Sequence, residues 1–470
     1  MKELEIIQGG MGVAVSNWRL ANSVARLGQL GVVSGTALEN VLARRLQAGD
    51  PDGHMRRALA QFPLAPMAER VIDSYFLEGG KAVDALFAIV PMFTIDPDPA
   101  LIELTVVANF VEVFLAREGH TGKVGINYLE KIQMPTLSSL YGALLAGVDY
   151  VIVGAGIPRE IPGALDRLAR GEAAELKLHV EGGGEEVQMR FDPVAFAGEK
   201  RALQRPRFLA IVSSSTLAQA LLKRATGEIY GFVVELPTAG GHNAPPRGKL
   251  QLNDRGEPVY GPRDEVDLAK IAALGKPFWM AGSCGNPGRL REVQEAGAVG
   301  VQVGTAFAFC EESGVDGQLK SQVLRGLRDG EVEIFTDPAA SPTGFPFKVI
   351  EFEGKLPGAD AYAVRPRTCN LGYLRTIYRR DDGSVDYRCA AESVASYVKK
   401  GGDVTETEGR KCLCNALLAN VGLPQRRPSG YLEQPLLTAG DDLLQVAGFL
   451  EADKDTYGAA DVVDYLLAKV

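Results

Sequence analysis

The sequence is poor in the residues that staple, span or grip polyanions. Six cysteines in 470 residues are too few and too dispersed for a disulfide framework, which fits a reducing compartment. No stretch of about 18 uncharged apolar residues occurs, which argues against a membrane span. The opening MKELEIIQGG runs straight into a strand pattern and leaves no room for a signal peptide, so the cytoplasm is the expected compartment. Cationic charge is not in excess. With 50 Lys+Arg against 59 Asp+Glu the net charge is −9, and nothing electrostatic favours nucleic acid or an anionic membrane. Neither GxxxxGK[ST] nor a strand-linked GxGxxG is found, which disfavours nucleoside triphosphates and a Rossmann cofactor.

What is there is ordinary globular material, 46% hydrophobic and 23% charged, enough for a large core. Over the first 330 or so residues short apolar strands alternate with amphipathic stretches, the pattern of a parallel sheet with crossover helices. Eight strands are predicted, at 4–8, 30–34, 123–128, 149–153, 207–213, 231–236, 277–281 and 299–303. Helices fit between most of them. One spans 17–28 behind Asn17 as a cap, one spans 215–225 after a serine run, and one spans 287–296 with Pro287 in its first turn. The expected fold is α/β, a (β/α)8 barrel of the TIM type, with a doubly wound open sheet as the alternative.

Three segments break the repeat. Residues 38–120 follow strand two and read as a helical insertion, with helices at 38–47, 66–78 and 100–118. Residues 174–192 alternate apolar and polar about Gly-Gly-Gly, an inserted β-hairpin. The barrel is assigned to 1–350. Residues 351–470 form a C-terminal extension, mixed at first and helical at its end.

The stretch GFVVELPTAGGHNAPPRG, 231–248, points most directly to chemistry. A buried strand ends in Gly240 and Gly241, which permit a sharp turn and close approach of a flat ligand. His242, one of four histidines, follows on the loop past the strand's C-terminal end, where α/β proteins place catalytic groups. His54, His120 and His179 sit in no comparable loop. The first strand exits through Gln8-Gly9-Gly10-Met11-Gly12. Strand seven exits through Ala281-Gly282-Ser283-Cys284-Gly285, and strand eight through Gly304-Thr305. In a barrel, the loops after strands seven and eight form the usual phosphate site.

IIQGGMG, AGGHNAP, MAGSCGNPG and GAVGVQVGTAF, with ASPTGFPF at 340–347, together resemble the signature regions of nitronate monooxygenases, once called 2-nitropropane dioxygenases. FMN-dependent enoyl-ACP reductases share these motifs. The resemblance spans 4–350 and implies a TIM barrel holding non-covalent FMN at the strands' C-terminal ends. It implies that Gln8, Gly9, Gly10 and Met11 lie along the flavin ring and that Asn127 contacts the ring or ribityl chain. Gly282, Ser283, Gly304 and Thr305, with Gln302 beside them, would hold the phosphate. Ser283 stands where the family has a second glycine, and could add a hydroxyl donor. His242 matches the family histidine that takes a proton from nitroalkanes and positions the nitronate, a role that suits an imidazole titrating near neutrality.

Other positions depart from the pattern. Glu235 replaces the monooxygenases' usual glutamine and matches the glutamate frequent in the reductases. Thr238 replaces an acidic residue common in both branches. The implied activity is oxidation of alkyl nitronates by dioxygen, with His242 as base and Glu235 setting the pocket's polarity. The alternative is an NAD(P)H-dependent enoyl-thioester reductase working with a fatty acid or polyketide synthase. Residues 243–263, rich in proline, are expected to close over the flavin as a lid or hairpin, with an ordered surface excursion as the alternative. The partners implied are small molecules, with a homo-oligomer supported by the size of the extension. Cys369, Cys389, Cys412 and Cys414 lie close together in the extension and could ligate zinc or an iron–sulfur cluster. Their spacing matches no common metal motif, so ordinary buried cysteines and no metal are expected.

Overall fold

The protein was analysed as a computed structural model that describes residues 4–450 and 454–468. All eight predicted strands form. They are β1 (Ile6–Gln8), β2 (Gly31–Ser34), β3 (Val124–Leu129), β4 (Tyr150–Gly154), β5 (Arg207–Val212), β6 (Gly231–Glu235), β7 (Phe278–Ala281) and β8 (Gly300–Val303). They pair in parallel in the order β1-β8-β7-β6-β5-β4-β3-β2. The ring closes through a parallel bridge between Ile7 and Leu30, where Gln8 N–H donates to the Leu30 carbonyl at 2.9 Å. Closure settles the choice between barrel and open sheet in favour of the (β/α)8 barrel.

Side-chain alternation builds the two layers of the core. Ile7, Val32, Ile152, Leu209, Val233 and Trp279 pack together inside the barrel. Their strand neighbours, such as Ile6, Val33, Val151, Phe208, Val234 and Met280, face the helices. The indole N–H of Trp279 donates to the Leu4 carbonyl at 2.7 Å and fixes the barrel floor. The predicted helix starts hold. Asn17 caps Trp18–Arg26, Ser214 caps Ser215–Arg224, and Asn286 caps Pro287–Glu295, each side chain accepting a backbone N–H of the first turn.

The insertion after β2 is helical as expected, at Leu38–Gln47, His54–Leu59, Ala65–Tyr75 and Pro99–Arg117. The last of these is long and apolar enough to cross a membrane by length and composition, although it contains Glu103 and Glu112. Most of it is buried against neighbouring helices 38–47 and 136–145, as a core helix would be. The inserted hairpin forms from Ala174–Lys177 and Gln188–Phe191. Between its arms, Val180–Glu181 pairs in parallel with Thr376–Arg379 of the extension, which itself pairs with Val385–Arg388.

The extension folds back onto the barrel mouth. Arg365 and Arg427 both bind the buried carboxylate of Glu433, with Arg365 at 2.7 Å. Arg44 of the insertion donates to the Leu423 carbonyl at 2.6 Å. The phenol of Tyr373 bonds Glu39 and takes a hydrogen bond from Asn40 at 2.6 Å. The final helix, Ala459–Leu467, packs against helices 18–26 and 287–295.

Candidate active site

The C-terminal ends of the strands open into one cavity with about 1660 Å³ of empty space, mouth included. Gly9, Gly10, Met11, Asn127, Glu235, Gly240, Gly241, His242, Gly282, Ser283, Gln302, Gly304 and Thr305 all line it. Gln8 does not. Its side chain lies beneath the first loop, donating to Ser16 Oγ at 2.8 Å and accepting the Val32 N–H at 3.0 Å. Ser16 in turn receives the Met11 N–H at 2.9 Å and donates to the Gly9 carbonyl at 2.7 Å. Gln8 therefore braces the glycine loop from within.

The glycines are there for different reasons. A Cβ on Gly10 would stand 2.3 Å from that of Asn127, so only glycine lets the first loop pass β3. A Cβ on Gly240 would meet the Ala439 backbone at 2.7 Å, so the extension occupies the approach that the sequence had reserved for a ligand. Gly282, at φ +100, needs the left-handed region, and Ser283 follows it there at φ 50, a conformation few non-glycine residues adopt.

His242 bridges to Phe347 on the strand Phe347–Glu351, with the two rings edge-on at 4.9 Å. Its Nε2 shares a hydrogen bond of 2.7 Å with Ser341 Oγ. Ser341 contacts Thr343 Oγ1 at 2.8 Å, and Lys131 Nζ donates to Thr343 Oγ1 at 3.3 Å. A polar chain thus runs from His242 to a lysine in the next cavity. Burial, reinforced by the Lys131 charge, pushes the His242 imidazole down to about 3. This differs from the near-neutral titration expected from sequence. His242 is neutral at physiological pH because the folded chain desolvates it and sets a cation nearby. Burial alone lifts Glu235 to about 7, and burial also lowers Lys131 to about 7 against the opposing pull of Glu130. The groups poised to exchange protons near neutrality are Glu235 and Lys131.

Gln302 Oε1 in these walls, and Thr238 Oγ1 beside Gly282, are buried and find no hydrogen-bond partner among the described residues. The extension supplies the rest of the rim. Thr438 Oγ1 accepts the Gly241 N–H at 2.8 Å, and Thr305 Oγ1 accepts the Gly440 N–H at 2.9 Å. The Asp442 carboxyl, raised by burial, takes hydrogen bonds from the Thr305 hydroxyl and the Gly285 N–H.

Residues 243–263 line none of the cavity and are not a lid. They lie against the hairpin formed by Glu333–Asp337 and Phe347–Glu351, where Glu257 accepts the Thr336 N–H at 2.9 Å and Arg255 pairs with Glu333 at 3.1 Å. Ser341 and Thr343 fall in the ASPTGFPF segment already singled out, although no role was assigned to them. Lys131, Thr438 and Asp442 carried no signal, because they reach the site only through tertiary folding.

Cys369, Cys389 and the pair Cys412 and Cys414, on three segments of the extension, line a single small chamber there. Cys414 also borders the main cavity.

No family model matches the chain. One stretch of 160 residues is 32% identical to a nitronate monooxygenase of Pseudomonas aeruginosa, covering 34% of this chain and 43% of that relative. The resemblance read from the motifs is borne out, and the match spans less than half of the relative's length. Among solved structures, FabK from Thermotoga maritima aligns over 99% of this chain and 92% of its own, at 14% identity and a TM-score of 0.48. Nitroalkane oxidase from Streptomyces ansochromogenes aligns over 98% and 94%, at 14% identity and a TM-score of 0.46. Likenesses of that degree carry no functional argument.

Proposed function

We propose that this chain is a flavin-dependent oxidoreductase that holds FMN at the barrel mouth and oxidises alkyl nitronates with dioxygen. The observation that carries the reading is the pairing of glycine-built strand exits with a buried, unpartnered acceptor, Gln302 Oε1, in one cavity that also holds Glu235 and His242. Such an acceptor suits the imide N–H of a flavin ring. Gly9, Gly10, Met11 and Asn127 would lie along the ring. The loops at Gly282–Ser283 and Gly304–Thr305 would meet the phosphate, with Asp442 limiting how much negative charge they accept.

A bound flavin supplies the redox step, with dioxygen as the terminal acceptor. The chain's residues supply binding and proton control. His242, held by Ser341 and kept neutral, orients a substrate through its ring nitrogens and is a weak base toward a neutral nitroalkane. The reading therefore favours the nitronate anion as substrate over its parent nitroalkane. Glu235 exchanges a proton near neutral pH. Oxygen uptake by FMN-loaded protein with propionate 3-nitronate or propyl-2-nitronate is expected, with much slower uptake on the nitroalkanes. No uptake with either nitronate contradicts the assignment.

A second reading is reduction of an enoyl thioester by NAD(P)H on the same flavin. It is favoured by Glu235, whose elevated titration suits a proton donor, and by an adjoining cavity with about 1390 Å³ of empty space. Ile132, Tyr373 and Leu374 form walls common to both cavities, leaving room for a long substrate. Anaerobic mixing with NADH or NADPH separates the two: rapid bleaching of the flavin supports the reductase, and a flavin that stays oxidised removes it.

A further inference from the structure

The four cysteines of the extension reach one small chamber from three separate chain segments. No His, Asp or Glu shares the chamber. The other lining groups, including Pro342, Leu371, Leu374 and Leu413, are mainly apolar. Chance burial of small hydrophobic thiols accounts for one or two such residues, but not for four of six facing the same void.

Backbone N–H groups face two of the four sulfurs. Cys369 accepts a hydrogen bond from the Gly372 N–H, and Cys414 accepts from the N–H groups of Tyr373 and Leu374. Amide donors aimed at sulfur stabilise the anionic form. Three guanidiniums stand within electrostatic reach: Arg365 of Cys412, Arg367 of Cys389 and Cys412, and Arg375 of Cys369. A metal centre on four thiolates is a net anion, and these arginines offset it.

Zinc and iron–sulfur clusters both bind four thiolates. A single zinc with bonds of about 2.3 Å draws its sulfurs to about 3.8 Å from one another. Among the described residues, no three His, Cys, Asp or Glu side chains are placed to hold one ion. Thiolates that each bind a different iron at the corners of a cluster stand further apart, around a void. We propose that Cys369, Cys389, Cys412 and Cys414 together ligate an iron–sulfur cluster beside the main cavity, with Cys414 in the wall between the two.

The test uses the full chain, purified and reconstituted anaerobically with ferrous iron and sulfide. Iron and acid-labile sulfide are expected in equal amounts, about two to four of each per chain, with a paramagnetic signal on reduction. Cys369→Ser and Cys389→Ser are expected to lower iron at least fivefold, whereas Cys310→Ala, in the barrel core, retains it. Because the wild-type count needs no variant, misfolding of a variant cannot hide the answer. Iron below about half an atom per chain, zinc without sulfide, or a Cys369–Cys389 disulfide in the anaerobic protein each overturns the proposal. The count is independent of whether flavin is bound, so it can fail while the flavin reading stands.

Discussion

The barrel and the extension contribute to the same cavity by opposite means. The barrel supplies it from below with backbone: glycine turns, strand ends and two ionisable side chains held in low-dielectric walls. The extension supplies it from the side with side chains and buried charge, anchored by Glu433 between two arginines and by Tyr373 on the insertion. One region is fixed by continuous hydrogen-bonded strands and apolar layers, the other by a few polar clamps. The difference teaches that the site's floor and its rim can be perturbed separately.

The largest expected effect is at the clamp. Glu433→Ala leaves Arg365 and Arg427 buried without their anion, and breaking a buried pair in this way costs about 3–5 kcal/mol. Chemical denaturation should show this loss with the extension's transition moving first. A cooperative shift of the whole curve would mean that barrel and rim are one unit.

Glu235→Gln probes the floor. The folded chain holds the Glu235 proton up to about 7, whereas an unfolded glutamate releases it near 4.5. Between those values the folded state binds more protons, so wild-type stability falls as pH rises and then levels off above 7. Glutamine removes that slope, for a gain of up to about 3 kcal/mol at pH 8. His242 has the opposite sign, because its depressed titration makes stability fall as pH drops from about 6.5 toward 3. Thermal melts against pH on the two single variants should therefore lose opposite limbs.

Activity sharpens the same contrast. His242→Asn is expected to lower kcat/KM on a nitronate about 100-fold, as loss of a positioned proton-exchanging or orienting group does. It should leave the pH inflection near 7 in place, because that inflection belongs to Glu235 and Lys131. Glu235→Gln should move or erase it. An inflection lost with His242 instead would restore the histidine as the titrating base.

The smallest effect is at the loop that follows β7. Ser283→Gly relieves a left-handed residue and should stabilise by about 1 kcal/mol, read as a rise in melting temperature with flavin content unchanged.

How far the sequence carried this account follows from the same contrast. Every barrel strand was legible, because β-branched apolar runs such as VVEL and YVIV are local signals that tertiary context only confirms. The glycine exits and His242 were legible because each follows a strand end. The protonation of the site was not. His242 has no acidic neighbour in sequence, and its neutrality comes from burial and from Lys131, over a hundred residues upstream. The lid expected at 243–263 failed because proline and glycine mark a loop without saying what it covers. The extension was the least legible part. Its strand Thr376–Arg379 pairs with Val180–Glu181 from an insertion nearly two hundred residues away, and its cysteines converge by folding, at spacings no local motif describes.

The most direct measurement is the amount and identity of flavin released when the purified full chain is denatured. The account predicts about one FMN per chain, retained on gel filtration and reduced in Gly10→Val, where the larger side chain collides with Asn127. A chain that carries no flavin and takes up none from added FMN would contradict it.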